Sequence, residues 1–388
     1  MTTNLIFASC AIALFTVLGC SNCGQKPNAG SSVNASQSSK DSVKLSQESW
    51  GFIDTTGKLV VPASFQDADH FFEQRAAVKQ QNLWGFIDER GAIVIPCKYH
   101  GVWAFSDGIA RVLDEENKIG YIDKKGRMLI APTYENATDF KEGRAVVETE
   151  RGFMYINPNG KRAIDGFFEH AATFENGVAR VKILGKYGVI KRDGSWLLKP
   201  KYTEISIQSN GYIVCILKDK YTVVNRRGET VAVPENVRIQ YYRPKAILVE
   251  NNGNQLLIDR KKQVVSDTLY EEIVPFSDTI WQVRVGSLFG LLSNSGKVLL
   301  PVRYRQIYRE SDERIAFQEG EHWGFMDQNL QVVVKPSFRT VWSYQQGFAR
   351  VADYNGYGFL NRRGVKCFGQ QFRDARDFSE GLARVQFR

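Results

Sequence analysis

The chain has 388 residues and a formal net charge of +9, with 43% hydrophobic, 24% charged and 12% aromatic residues. That is a globular composition with enough aromatic side chains for a sizeable core, and only 11 Pro and 4 His exclude Pro-rich scaffolds and His-rich metal proteins. After residue 20 no apolar run reaches the roughly 18 residues of a membrane-spanning helix.

Residues 5–19 (LIFASCAIALFTVLG) are apolar and uncharged. They are too short for a comfortable membrane span and suit the core of a signal peptide. They run into Val17-Leu18-Gly19-Cys20, which resembles the bacterial lipobox: an aliphatic residue, a small residue, then the acylated Cys. The resemblance implies that residues 1–19 are a signal peptide and that Cys20 is the lipid-bearing first residue of the mature chain. An ordinary signal cleaved elsewhere is the other reading. Residues 20–47 are dense in Ser, Asn, Gln, Gly and Lys and too polar to bury a core. They read as a flexible, lipid-anchored tether with an r.m.s. span of roughly 30 Å. The expected location is therefore outside the cytoplasm, on a membrane, facing the periplasm or the cell surface. Cys23, Cys97, Cys215 and Cys367 are scattered and read as small apolar residues, with disulfides left open.

From residue 48 to residue 388 the sequence repeats itself. Trp50-Gly-Phe-Ile-Asp54, Trp84-Gly-Phe-Ile-Asp88, Ile119-Gly-Tyr-Ile-Asp123 and Trp323-Gly-Phe-Met-Asp327 are the clearest copies. Looser ones start at Arg151, Tyr187, Tyr221, Gln255, Phe289 and Tyr357, which makes ten, mostly 34 residues apart. A second block, Ala-x-Val, keeps phase at 76–78, 110–112, 145–147, 179–181, 349–351 and 383–385. Between the two blocks lies an aliphatic run ending in Pro and an aromatic, as in Ile93-Val-Ile-Pro96…Tyr99.

These blocks predict short strands, being rich in Val, Ile, Phe, Tyr and Trp and bounded by Gly, Pro and Asp. Asp54-Thr-Thr-Gly57, Asp123-Lys-Lys-Gly126 and Asn361-Arg-Arg-Gly364 predict type I turns, so each first block and the following aliphatic run form a hairpin. Alternation puts apolar side chains on both faces, which calls for cover on both sides. The strand glycines predict a close backbone or ring approach, read here as one between stacked sheets. Ordering 34 residues costs roughly 50 kcal/mol, so one unit cannot stand alone and stability is shared along the array. The expected fold is all-β: ten small-sheet repeats, either a propeller-like closed ring or an open superhelical stack. Closure would come from pairing the opening Trp50 strand with the closing Val385 strand.

Trp50-Gly51-Phe52, Trp84-Gly85-Phe86, Trp323-Gly324-Phe325, the Asp-x-x-Gly turns and the Phe-x-x-Gly-x-Ala-Arg-Val block resemble the bacterial WG (KWG) repeat family over residues 47–388. The resemblance implies an interaction repeat and carries no specific biochemistry. It departs most where Thr222 and Leu256 replace the Gly.

No catalytic motif emerges: there is no phosphate loop, nucleophile elbow or HExxH pair. His70, His100, His170 and His322 lack metal-ligand spacing, and the turn aspartates are explained by their turns. No metal, cofactor or nucleic acid is expected. Two features suit binding. Arg111, Arg180, Arg350 and Arg384 recur in the Ala-Arg-Val block, either gripping an anionic partner or stacking and pairing within the fold. Basic turn tips recur at Lys124-Lys125, Lys191-Arg192, Arg226-Arg227, Arg260-Lys261-Lys262 and Arg362-Arg363, and would line one edge of a stack. The expected function is a non-enzymatic binding or scaffold lipoprotein of the cell envelope, monomeric, with an envelope protein or an anionic glycan as partner. The alternative is a carbohydrate- or envelope-polymer-processing enzyme with its site at a propeller mouth.

Overall fold

Strand pairing resolves the repeats into ten small antiparallel sheets. The computed structural model describes residues 49–251, 253–266 and 270–388, all in one compact unit. The signal segment, Cys20, Cys23 and the tether lie outside the described residues. Sheet one contains Asp67–Phe72, Arg75–Gln80, Leu83–Ile87 and Ile93–Tyr99, joined in chain order. Each sheet thus ends one sequence repeat and begins the next. A short first strand is followed by the Ala-Arg-Val strand, the Trp-Gly strand and the Pro-containing strand.

The tenth sheet draws on both ends of the chain. Asp374–Ala375 and Leu382–Gln386 supply its first two strands, Trp50–Asp54 and Leu59–Phe65 the others. Gly51 pairs with Val385, Phe52 with Arg384, Ile53 with Ala383 and Asp54 with Leu382. Apolar packing follows the same circuit. Phe86 and Ile95 of sheet one cluster with Phe105 and Val112 of sheet two. Phe359 and Phe372 of sheet nine meet Phe378 and Val385 of sheet ten. Trp50 and Phe52 of sheet ten close against Phe71 and Val78 of sheet one. The sheets form a ring sealed by the chain's own ends, and the open superhelical stack is excluded. The core is divided among the interfaces between neighbouring sheets.

The turns follow from side-chain chemistry. Asp123 Oδ1 accepts from the backbone N–H of Lys125 and of Arg127, both at 2.9 Å. Asp54, Asp88, Asn157, Asn225, Asp259, Asp327 and Asn361 repeat that pattern. The fourth turn residue is left-handed, as at Gly57 (φ 85°). Where Gly is missing the backbone is unchanged: Lys262 has φ 65° and Leu330 φ 63°. A β-carbon in that region costs about 1–2 kcal/mol. Lys262→Gly is therefore expected to raise stability by about 1 kcal/mol, read as a higher denaturation midpoint at unchanged m-value.

The strand glycines have a sharper role than stacking between sheets. In sheet one Trp84 pairs with Tyr99 and Phe86 with Ile95, so the one residue between them, Gly85, is faced by three of the Pro-containing strand, Pro96, Cys97 and Lys98. The surplus bulges over Gly85. A Cβ there would collide with the Ile95 carbonyl and lie 2.7 Å from the Cys97 amide nitrogen. At Gly51 it would lie 2.6 Å from the Val61 carbonyl oxygen, at Gly120 2.8 Å from that of Ile130. The close approach is therefore made by the neighbouring strand of the same sheet, and the Pro, which donates no hydrogen bond, sits on the bulge.

The fourth repeat needs a correction. Val78 pairs with Gly85 and Val112 with Gly120, and the residue opposite Val147 is Met154. Met154, not Gly152, holds the glycine position, which makes the steps from 120 to 154 and from 154 to 188 both 34 residues. Gly152 instead ends the hairpin, paired with Thr149 at φ 107°. Three copies thus lack the glycine, at Met154, Thr222 and Leu256. Those are the three whose fourth strand is reduced to isolated bridges or to Thr230–Val231. The seven glycine copies all keep a seven-residue fourth strand.

Candidate binding surface

In a four-stranded meander the first and third turns share one end of the sheet. The Asp-x-x-Gly tips therefore stand beside the Phe-x-x-Gly turns, while the chain enters the ring at Trp50, the opposite end of its strand. The five-residue windows from the turn Asp or Asn position carry sixteen Lys or Arg against eight Asp or Glu, a net +8 of the chain's +9.

The tips divide into two kinds of position. At several tips the second turn residue, which follows the turn Asp or Asn (Lys191 in the fifth copy), folds back on the ring. Lys124 Nζ lies 3.2 Å from Glu73 of sheet one, Arg192 Nη2 donates to the Glu142 carbonyl at 2.9 Å, and Arg362 Nη2 reaches Asp312 at 2.9 Å. Arg226 packs over Gly211 of its own sheet. The next residue gives its backbone N–H to the turn Asp or Asn and projects its side chain outward. Lys125, Arg227 and Arg363 are exposed at this position, as are Arg90 and Lys261. Arg90 stands in phase with the others but was missed from the sequence because its tip, Glu89-Arg90, is charge-balanced.

Acidic side chains, and the amide of Gln346, form a series of cross-sheet hydrogen bonds beneath the tips. Glu380 accepts from the amides of Glu73 and Gln74 at 2.7 and 2.6 Å, and Glu73 from Gly108 at 2.9 Å. Asp107 accepts from Gly143 at 2.6 Å, Glu142 from Gly177 at 2.9 Å, Asp312 from Gly347 and Gln346 from Gly381 at 2.7 Å. Each links one sheet to the next, and one link crosses the seal between sheets ten and one.

The Ala-Arg-Val arginines lie between sheets. Arg111 Nε donates to Asp139 at 2.6 Å and Nη1 to the Ala137 carbonyl at 2.7 Å, with its guanidinium 4.2 Å from the Trp103 ring centre. Arg180 donates to the Ile205 carbonyl at 2.7 Å. Arg350 bonds Asp377 at 3.0 Å and the Ala375 carbonyl at 2.5 Å beneath Trp342, and is 4% exposed. Arg384 reaches Asp67 at 3.3 Å and lies over Trp50. Burial pulls the Arg350 guanidinium below its ordinary pKa, with Asp377 acting against the shift. Each arginine clamps its sheet to the following one. Arg350→Ala should lower stability by about 3 kcal/mol, because it leaves a carboxylate and a carbonyl without their donor. Arg363→Ala should leave the melt unchanged, and calorimetry on both variants tests the contrast.

Cys97, Cys215 and Cys367 are free thiols, and burial raises the Cys215 pKa to about 12. Among the described residues no three His, Cys, Asp or Glu side chains come together as a metal-ligand set. The tenth repeat holds a feature that the repeat pattern did not signal: a cavity of about 510 Å³ lined by sheet nine and by Arg388, beyond the last strand of sheet ten. The only hint in the sequence is that Lys366–Phe372 lacks the Pro found in the other six seven-residue fourth strands.

A family profile described as "WG containing repeat" matches residues 50–84, 84–118, 119–150, 153–187, 187–221, 323–357 and 357–388, more than half of the chain. Its fourth segment begins at Phe153, in agreement with the register at Met154. No curated protein is significantly similar to the chain. Among solved structures, a eukaryotic initiation factor is similar at 10% identity and TM-score 0.46, over 88% of this chain and 99% of that one. Kluyveromyces lactis Hsv2 is similar at 9% identity and TM-score 0.32, over 58% and 93%. BamB from Moraxella catarrhalis is similar at 8% identity and TM-score 0.28, over 82% and 92%.

Proposed function

The chain belongs to the WG repeat family, and from that premise we propose that it is a non-enzymatic scaffold of the bacterial cell envelope, anchored through a lipid on Cys20. Its ring presents the basic turn tips to an acidic protein partner. One observation carries this reading: the outward cations Arg90, Lys125, Arg227, Lys261 and Arg363 share one end of their sheets, opposite the end at which the chain enters. Several like charges at one end steer an oppositely charged surface and bind it in a salt-dependent way.

The test is in-cell crosslinking of the full-length protein, followed by mass spectrometry. One dominant envelope protein is expected, with capture reduced at least tenfold when Lys125, Arg227, Lys261 and Arg363 are all changed to Gln. Capture that is unaffected by those changes removes the tips from the interface. If an acidic glycan is retained in place of a protein, the partner class changes. Cys20→Ser should move the protein from the membrane to the soluble fraction, and unchanged fractionation overturns the anchor.

A further inference from the structure

Sheet nine departs from the other sheets at its fourth strand. In six copies the third residue of that strand, such as Val61, Ile95 or Val334, pairs with the Trp-Gly strand. In Lys366–Phe372 the pairing shifts to the second residue, Cys367, and Phe368 turns to φ 68°. The Phe368 ring leaves the strand for an aromatic cluster with Phe348, Phe359 and Phe378. Gly369 stands where Pro62, Pro96 and Pro301 sit in other copies, and the bulge lifts away. Six of the seven strand glycines are crowded by backbone, whereas a Cβ on Gly358 would meet nothing within 4 Å.

The space left is the cavity of about 510 Å³, within the range of small-ligand sites. Its polar lining is Asp353, Lys366, Gln370, Gln371 and Arg388, and its floor includes Val351 and Gly358. Asp353 is held by Lys366 at 3.2 Å and by the Asn355 amide at 2.7 Å, with Gln371 Nε2 at 3.4 Å. Desolvation would raise the Asp353 pKa, but these donors hold it below the ordinary value, so it stays an acceptor. A carboxylate and two amides offer the planar, paired acceptors and donors that vicinal hydroxyls satisfy. Two cations against one carboxylate favour a ligand that brings a negative charge.

We propose that this cavity binds a carboxylate-bearing saccharide of one or two rings, its hydroxyls on Asp353 and Gln371 and its carboxylate toward Lys366 and Arg388. The site runs along sheet nine from Asp353 to Lys366 and does not include the outward tip residue Arg363.

Cys367 lines the cavity and provides the readout, with Cys97 as internal reference. The full-length protein is alkylated with a small maleimide in the presence of glucuronate, galacturonate, their disaccharides or glucose, and labelling is followed by peptide mass spectrometry. A uronate is expected to slow labelling of Cys367 at least fivefold while leaving Cys97 unchanged, and to do so more than glucose. Gly358→Val should abolish the protection without lowering the melting temperature, and Lys366→Gln should weaken it about tenfold. Equal labelling with and without every uronate overturns the proposal, as does protection by glucose equal to that by uronates. Protection that survives in folded Gly358→Val places the ligand elsewhere and equally overturns it.

Discussion

A chain lacking residues 374–388 is expected to lose the cooperative melt of the ring. The truncation deletes two strands of the tenth sheet and leaves Gly51, Phe52 and Ile53 without their partners. It also opens two apolar interfaces, stripping Phe378, Ala383 and Val385 from Phe359 and Phe372, and Leu382 from the cluster around Trp50 and Phe71. Burying one large apolar side chain contributes about 1.5–3 kcal/mol. Half a dozen such groups lost or exposed amount to roughly 10 kcal/mol, the whole stability of an ordinary domain. The strand edges laid bare on sheet ten invite association. Near-UV circular dichroism on heating should show a broad, early transition, and size-exclusion chromatography should show oligomers. A truncated chain that stays monomeric and melts like the parent would mean that the seal contributes nothing.

The second large effect is a contrast between two glycines at the same repeat position. Gly85→Val should cost about 3 kcal/mol, because the new side chain is driven into backbone that cannot move without undoing the bulge. Gly358→Ala should be neutral or stabilising by about 0.5 kcal/mol, since its Cβ enters open space and the unfolded chain loses freedom. Urea denaturation of the two variants measures both effects. Equal losses would show that the glycine acts through strand propensity and not through the overlying strand.

What could be read in the sequence was what depends on neighbours along the chain. The turn at Asp123 is decided by a side chain bonding amides two and four residues on, and the unmatched strands at each end marked the pair that could seal a ring without deciding between ring and open stack. Phase was legible where Trp-Gly was intact and failed at Gly152-Phe153, where a hairpin glycine imitates the repeat glycine two residues early. The arginine clamps were visible as a period but not as clamps, because Asp139 and Asp377 lie 28 and 27 residues away from Arg111 and Arg350 on the next sheet. The cavity was hidden for another reason. The missing Pro in Lys366–Phe372 is plain, but whether a bulge collapses or lifts away depends on where the Phe368 ring finds partners.

The offset between repeat and sheet also bears on how such a chain can change length. No sheet is encoded by a single repeat, since each takes its first two strands from one copy and its last two from the next. An in-frame duplication or deletion of one period anywhere between residues 55 and 381 therefore leaves the sealing pair at 50–54 and 382–386 untouched and changes the number of sheets by one. Unequal recombination between copies can alter the circumference of the ring without breaking it, and substitutions such as Met154, Thr222 and Leu256 can accumulate one sheet at a time.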